Sequence, residues 1–170
     1  MVSIAVTGKP GVGKTTLCKK VWEKLSKRDV SGFITLELRR GGRRVGFEIL
    51  DLKSLERVTL ASLKSCKTKV GKYCVHVEEF EDYLNRASLS GDVIIIDEVG
   101  PMELKSKVFV KVLEGLMNTD ADKLFTIHAK SNHPIIRKIR EEFEVYTIDE
   151  RNRDEVAETI LLRLSEAKKC

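Results

Sequence analysis

Gly8-Lys9-Pro10-Gly11-Val12-Gly13-Lys14-Thr15 follows the apolar run Val2 to Val6 and precedes a segment in which Leu17, Val21 and Leu25 recur every fourth residue. A short apolar run closed by glycines reads as a buried strand, and the four-residue spacing reads as one face of a helix from about Lys14 to Lys27. The octapeptide fits Gly-x-x-x-x-Gly-Lys-Ser/Thr and stands where that pattern has chemical meaning, between a strand and a helix. Polyphosphate needs converging backbone N–H groups and a helix N-terminus, and glycines let the chain wrap closely enough to supply them. Gly8, Lys9, Pro10, Gly11, Val12, Gly13, Lys14, Thr15 and Thr16 are the candidate phosphate-binding residues. Lys14 would reach the β and γ phosphates and the Thr15 hydroxyl would ligate Mg²⁺.

Downstream, Val93-Ile94-Ile95-Ile96-Asp97-Glu98 is an apolar strand running into two carboxylates. A strand of a parallel sheet delivers such an end to the edge where ligands bind. Asp97 is the candidate metal ligand beside Thr15, and Glu98 is the candidate base for an attacking water. The chain contains no Gln, so the water-positioning glutamine of small GTPases is absent, and no Asn-Lys-x-Asp reads guanine.

Outward from these two motifs, Leu104 with Val108, Val112 and Leu116 predicts a helix, Leu124 to Ile127 a strand, and Ile135 to Phe143 a helix opened by His133-Pro134. Val145 to Ile148 predicts a strand and Val156 with Ile160 and Leu164 a last helix. Phe33 to Leu38 and Val45 to Leu50 alternate around Gly41-Gly42 as a hairpin, and 57–63 and 70–77 are weaker strands. The expected fold is α/β: a P-loop NTPase, its mostly parallel sheet covered by helices on both faces, with an antiparallel β-hairpin insertion at about 33–77 in one domain of 1–170.

Thirty-one Lys and Arg against 26 Asp and Glu leave +5, and the six-residue stretch from Arg39 to Arg44 concentrates four arginines. Arg39, Arg43 and Arg44 are candidates for offsetting γ-phosphate charge, against the plainer reading of a charged hairpin edge. Glu103 could serve water or metal, or favour the start of the next helix. Asn152 and Arg153, between the last strand and helix, are candidate base-contacting residues, since a guanidinium stacks on any base. Thr126 and His128 are candidates for sensing the γ phosphate. The longest uncharged apolar run near the second motif is far short of the ~20 residues that cross a bilayer, so no membrane partner is expected. Four cysteines without a CxxC pair, and no apolar leader before the first motif, predict a reduced cytoplasmic chain.

Taken together, Gly8 to Thr16, Gly32-Phe33, Glu37-Leu38-Arg39, Gly42 to Phe47, Gly71-Lys72-Tyr73, Asp97 to Leu104 and Asn152-Arg153 resemble the THEP1 nucleoside-triphosphatase family along the whole chain. The resemblance implies a RecA-like variant of the P-loop fold and Mg²⁺-dependent hydrolysis of ATP, GTP and other nucleoside triphosphates with broad base tolerance. Several members carry Lys at the position of Pro101. Two other readings stand beside hydrolysis: a nucleoside or nucleotide kinase, which shares the loop but uses another acceptor, and a nucleic-acid-binding module whose nucleotide site is regulatory.

Overall fold

The computed structural model describes residues 1–166. One mixed sheet of nine strands runs through the molecule: β1 (Ser3–Thr7), β2 (Val30–Arg40), β3 (Arg43–Asp51), β4 (Arg57–Ser62), β5 (Lys69–Val70), β6 (Tyr73–Val75), β7 (Val93–Val99), β8 (Asp122–Ile127) and β9 (Glu144–Thr147). Their spatial order is β5-β6-β4-β3-β2-β7-β8-β1-β9. β2, β7, β8, β1 and β9 pair in parallel, whereas β2 with β3, β3 with β4, β4 with β6 and β5 with β6 pair antiparallel. β2 belongs to both halves: Val30 to Phe33 pair with β7, and Phe33 to Arg40 pair with β3. The β-rich stretch expected as an insertion therefore continues the main sheet.

Helices cover both faces. Leu17, Cys18 and Val21 of α1 (Lys14–Lys24) and Ala157, Ile160 and Leu164 of α5 (Arg153–Glu166) pack with Val93 and Ile95 on one side. On the other side α2 (Val77–Arg86), α3 (Lys107–Met117) and α4 (Pro134–Glu142) meet Ile94 and Ile96. All five apolar residues of β7 are at most 1% exposed, which is what a central parallel strand with helices on both sides requires. Phe33, Phe80, Tyr83 and Phe109 interlock at ring separations of 5.3–6.0 Å and join α2 and α3 to β2.

Three expectations are corrected. The fully buried face of α3 is Phe109, Leu113, Leu116 and Met117; of the expected series Leu116 belongs to it, Val108 and Val112 pack half-buried at its edge, and Leu104 lies before the helix. Ser106 sets the start: its Oγ accepts a hydrogen bond from the Phe109 N–H and begins the helix at Lys107, after a 3₁₀ turn over Glu103–Lys105 that takes in Leu104. The segment 70–77 is broken at Gly71 into the hairpin strands β5 and β6. The cysteines are not all thiols: Cys66 and Cys74 form a disulfide with a Cα separation of 5.6 Å, because that hairpin folds the chain back on itself. Cys18 is buried and free, and Cys170 lies outside the described residues. Among the described residues, no helix is long and apolar enough to cross a membrane.

Candidate active site

The site forms at the carboxyl edge of the sheet, where β1 and β7 end on either side of β8. Gly13 at φ 109° is the residue before α1, a left-handed conformation that turns the loop into the helix and that a side chain would resist. The Gly13 carbonyl accepts the Leu17 N–H, so the helix is fully wound from its first turn. Lys9, Pro10, Gly11 and Thr16 are exposed, Gly8 is buried, and Val12, Gly13, Lys14 and Thr15 are half-buried. The Lys14 ammonium folds back over the loop, donating to the Gly8 carbonyl at 2.7 Å and facing Glu98 Oε2 at 3.6 Å.

Asp97 is the hub. Its carboxylate accepts from the Thr15 hydroxyl at 2.7 Å, the Thr126 hydroxyl at 2.6 Å and the Thr35 N–H at 3.3 Å, and the Thr35 hydroxyl donates to its backbone carbonyl at 2.7 Å. α1, β8 and β2 thus each supply one threonine to one carboxylate on β7. Burial is the main reason its pKa rises to about 6, with the neighbouring Glu98 charge adding to the rise and the threonine hydrogen bonds opposing it. A buried carboxylate that accepts three hydrogen bonds, one of them from the Thr15 hydroxyl, and forms no ion pair among the described residues is a hard-oxygen site suited to a divalent cation such as Mg²⁺.

The ladder between β7 and β8 shifts register between Ile96 and Val99, so adjacent Asp97 and Glu98 occupy different environments. Glu98 is half-buried and takes no part in the threonine net. It lies against Gly100, where an added Cβ would come within 2.5 Å of Glu98 Oε1, so a side chain there would displace the Glu98 carboxylate. Glu103 is 3% exposed. Burial first, then the charges of Glu98 and Asp97, hold its carboxyl well above the ordinary range, and the backbone N–H groups of Gly100 and Glu103 itself oppose the rise. It therefore serves the local backbone and also lies close enough to feel both acids. His128, at the end of β8, is lowered in pKa by burial and by Lys14 and Lys130. Its Nδ1 accepts the Lys130 N–H at 3.3 Å, which puts the proton of the neutral ring on Nε2.

Not every candidate gathers here. Arg153 does: it donates to the Val12 carbonyl at 3.1 Å and lies across Gly13. Asn152 instead braces its own turn, accepting from the Asp149 N–H at 2.8 Å and donating to the Thr147 carbonyl at 3.0 Å. Thr126, considered as a γ-phosphate sensor, is committed to Asp97. Arg39 and Arg44 pair with Glu37 at 2.8 and 3.4 Å, and Arg44 also donates to the Tyr73 hydroxyl at 3.0 Å. Arg43 is exposed at the hairpin tip. These arginines sit four or more residues beyond Thr35, roughly 13 Å along an extended strand. Thr35 itself escaped the sequence reading, since its strand alternates like any hairpin strand and only the β2–β7 pairing brings it to Asp97.

With this geometry in view, residues 3–161 match the protein family described as NTPase. The chain is 54% identical to the nucleoside-triphosphatase THEP1 of Archaeoglobus fulgidus, over 94% of this chain and 96% of that one. It is 41% identical to the THEP1 of Methanocaldococcus jannaschii, over 95% and 96%. The crystal structure of THEP1 from the hyperthermophile Aquifex aeolicus superposes with a TM-score of 0.81 at 35% identity, over 96% of this chain and 99% of that one. The solution structure of a human cancer-related nucleoside triphosphatase superposes equally well, at 33% identity over 98% of both chains. A phosphate loop and an acidic strand end, tied together by Thr15, are thus found in a chain that belongs to the THEP1 nucleoside-triphosphatase family.

Proposed function

We propose that the protein hydrolyses nucleoside triphosphates, ATP and GTP among others, to the diphosphate and inorganic phosphate with Mg²⁺ bound. The observation that carries this reading is the division between adjacent acids: Asp97 is hydrogen-bonded to Thr15, while Glu98 stays outside that net and faces Lys14. Thr15 and Asp97 would hold the cation, which supplies charge neutralisation at the β and γ phosphates. Gly8 to Thr16 would cradle the phosphates through backbone N–H groups, and Lys14 would leave the Gly8 carbonyl to meet them.

Glu98 accepts a proton from the attacking water as its oxygen bonds to the γ phosphorus and the bond to the β-phosphate oxygen breaks. Arg153 lies beside the loop, where it adds positive charge or stacks on the base without reading its edge, which supports broad base tolerance. Arg39, Arg43 and Arg44 would reach the γ phosphate only if the hairpin bent toward the loop. Phosphate release from ATP, GTP, CTP and UTP, with Mg²⁺ or with chelator, tests the reading. Transfer of labelled γ phosphate to an added nucleoside faster than to water would replace it with the kinase.

A further inference from the structure

We propose that the arginine-tipped ribbon of β2 and β3, with the groove beside it, docks the phosphate backbone of a double-stranded nucleic acid. Residues 33–77 carry ten Lys and Arg against four Asp and Glu, whereas the remainder carries 21 against 22. The whole positive excess of the chain therefore resides in the antiparallel half of the sheet. Such a concentrated excess attracts polyanions over a distance of about a Debye length.

The geometry gives this charge a shape. β2 pairs with β7 only over Val30 to Phe33, and β3 pairs with β4 only as far as Gly46. Beyond those points residues 39–45 stand out as a two-stranded ribbon, with Arg39 opposite Arg44 and Arg40 opposite Arg43. A groove of about 500 Å³ opens beside it, lined by Arg39, Arg43, Arg44, Lys72, Leu63 and Tyr73. Glu37 is shared between Arg39 and Arg44 and offsets one charge of the two. Arg40, Arg43 and Lys72 are exposed and form no ion pair among the described residues.

The aromatic residues select the ligand. Single-stranded nucleic acids are held largely by stacking on exposed rings. Here Tyr73 is 5% exposed, and the Arg44 guanidinium lies over the rings of both Phe47 and Tyr73, at 5.1 and 5.6 Å. No open platform remains for a base, while Arg44 is held rigid at the groove edge. An anionic membrane is disfavoured because the tip, Arg39 to Arg44, has no apolar side chain to enter the headgroup layer. Phosphates spaced regularly along a duplex match the row of cations, and contacts of this kind are independent of sequence.

The test measures anisotropy of a labelled 16-base-pair duplex with the full chain, without nucleotide or metal, so its outcome is separate from that of the hydrolysis reading. With about three phosphate contacts, affinity should fall roughly 40-fold between 50 and 200 mM salt. Arg40→Ala and Lys72→Ala should each weaken binding at low salt and flatten the logarithmic salt slope by about 0.9, while both retain wild-type triphosphatase activity as the check on folding. Binding insensitive to salt or to both substitutions overturns the proposal. So does equal affinity for polyglutamate or for vesicles rich in anionic lipid, or tighter binding of the separated single strand.

Discussion

Thr15 Oγ1 and Asp97 Oδ2 meet at 2.7 Å across the ends of α1 and β7, and this contact ties the phosphate loop to the acidic strand before any ligand arrives. The two oxygens proposed to share a cation are already adjacent, so binding it requires the hydroxyl to turn and little else to move. Thr15→Val and Asp97→Asn should each weaken Mg²⁺-dependent nucleotide binding. In a double-mutant cycle they should couple, with the pair costing less than the sum by about 1 kcal/mol or more. Strict additivity in nucleotide titrations would show that the two side chains act on different steps.

Lys14 and Glu98 should separate binding from turnover. Lys14→Ala removes the cation intended for the phosphates, and nucleotide affinity and hydrolysis should fall together. Glu98→Gln keeps size and polarity but cannot take a proton, so MgATP affinity should persist while turnover drops by about 100-fold or more. Equilibrium binding and single-turnover rates on both variants check this. A comparable loss of affinity in Glu98→Gln would remove the residue from the role of base.

Arg153 touches the loop without belonging to it. Arg153→Ala should raise KM for ATP, GTP, CTP and UTP by similar factors of about 3 to 10, as loss of a stacking or charge contact worth about 1 kcal/mol implies. A penalty confined to one base would mean that the residue reads base edges.

Asp97 gives the metal-free protein a definite pH response. Its carboxyl rises from 3.8 to about 6 in the fold, so the folded state holds the proton more firmly than the unfolded chain does. The resulting stabilisation is present below pH about 4 and is lost as pH climbs through about 6, on the order of 3 kcal/mol in all. Denaturant midpoints in chelator should therefore show wild type losing ground to Asp97→Asn between pH 4.5 and 7. A constant difference between the two across that window would contradict the assigned environment.

How much of this could be read from residues alone follows from the range of the forces involved. The phosphate loop and the Val93 to Glu98 strand were legible because their chemistry is encoded in contiguous residues whose local conformation is nearly obligatory. Ile135, Ile136 and Ile139 likewise announced the buried face of α4. In α3 the periodic residues place the helix, but Phe109 and Leu113 take the centre of its buried face and Val108 and Val112 its edge, a choice made by packing against α2 and the sheet. Thr35 and the Cys66–Cys74 pair were invisible for another reason: each depends on which strand lies next to which, information carried by the assembled sheet. The arginine cluster was conspicuous in the sequence, but its distance from the loop depends on how far β2 runs past β7.

That same strand has a mechanical consequence. From Val30 to Arg40 it is one strand, fixed at its root against β7, gripping Asp97 at Thr35 and ending in open water. Its ladder with β3 shifts register between Leu38 and Arg39, so the exposed tip is offset from the segment that holds the carboxylate. The outlying half of the sheet consequently cannot be trimmed away as an ornament, because cutting it would also release one of the three hands that hold Asp97.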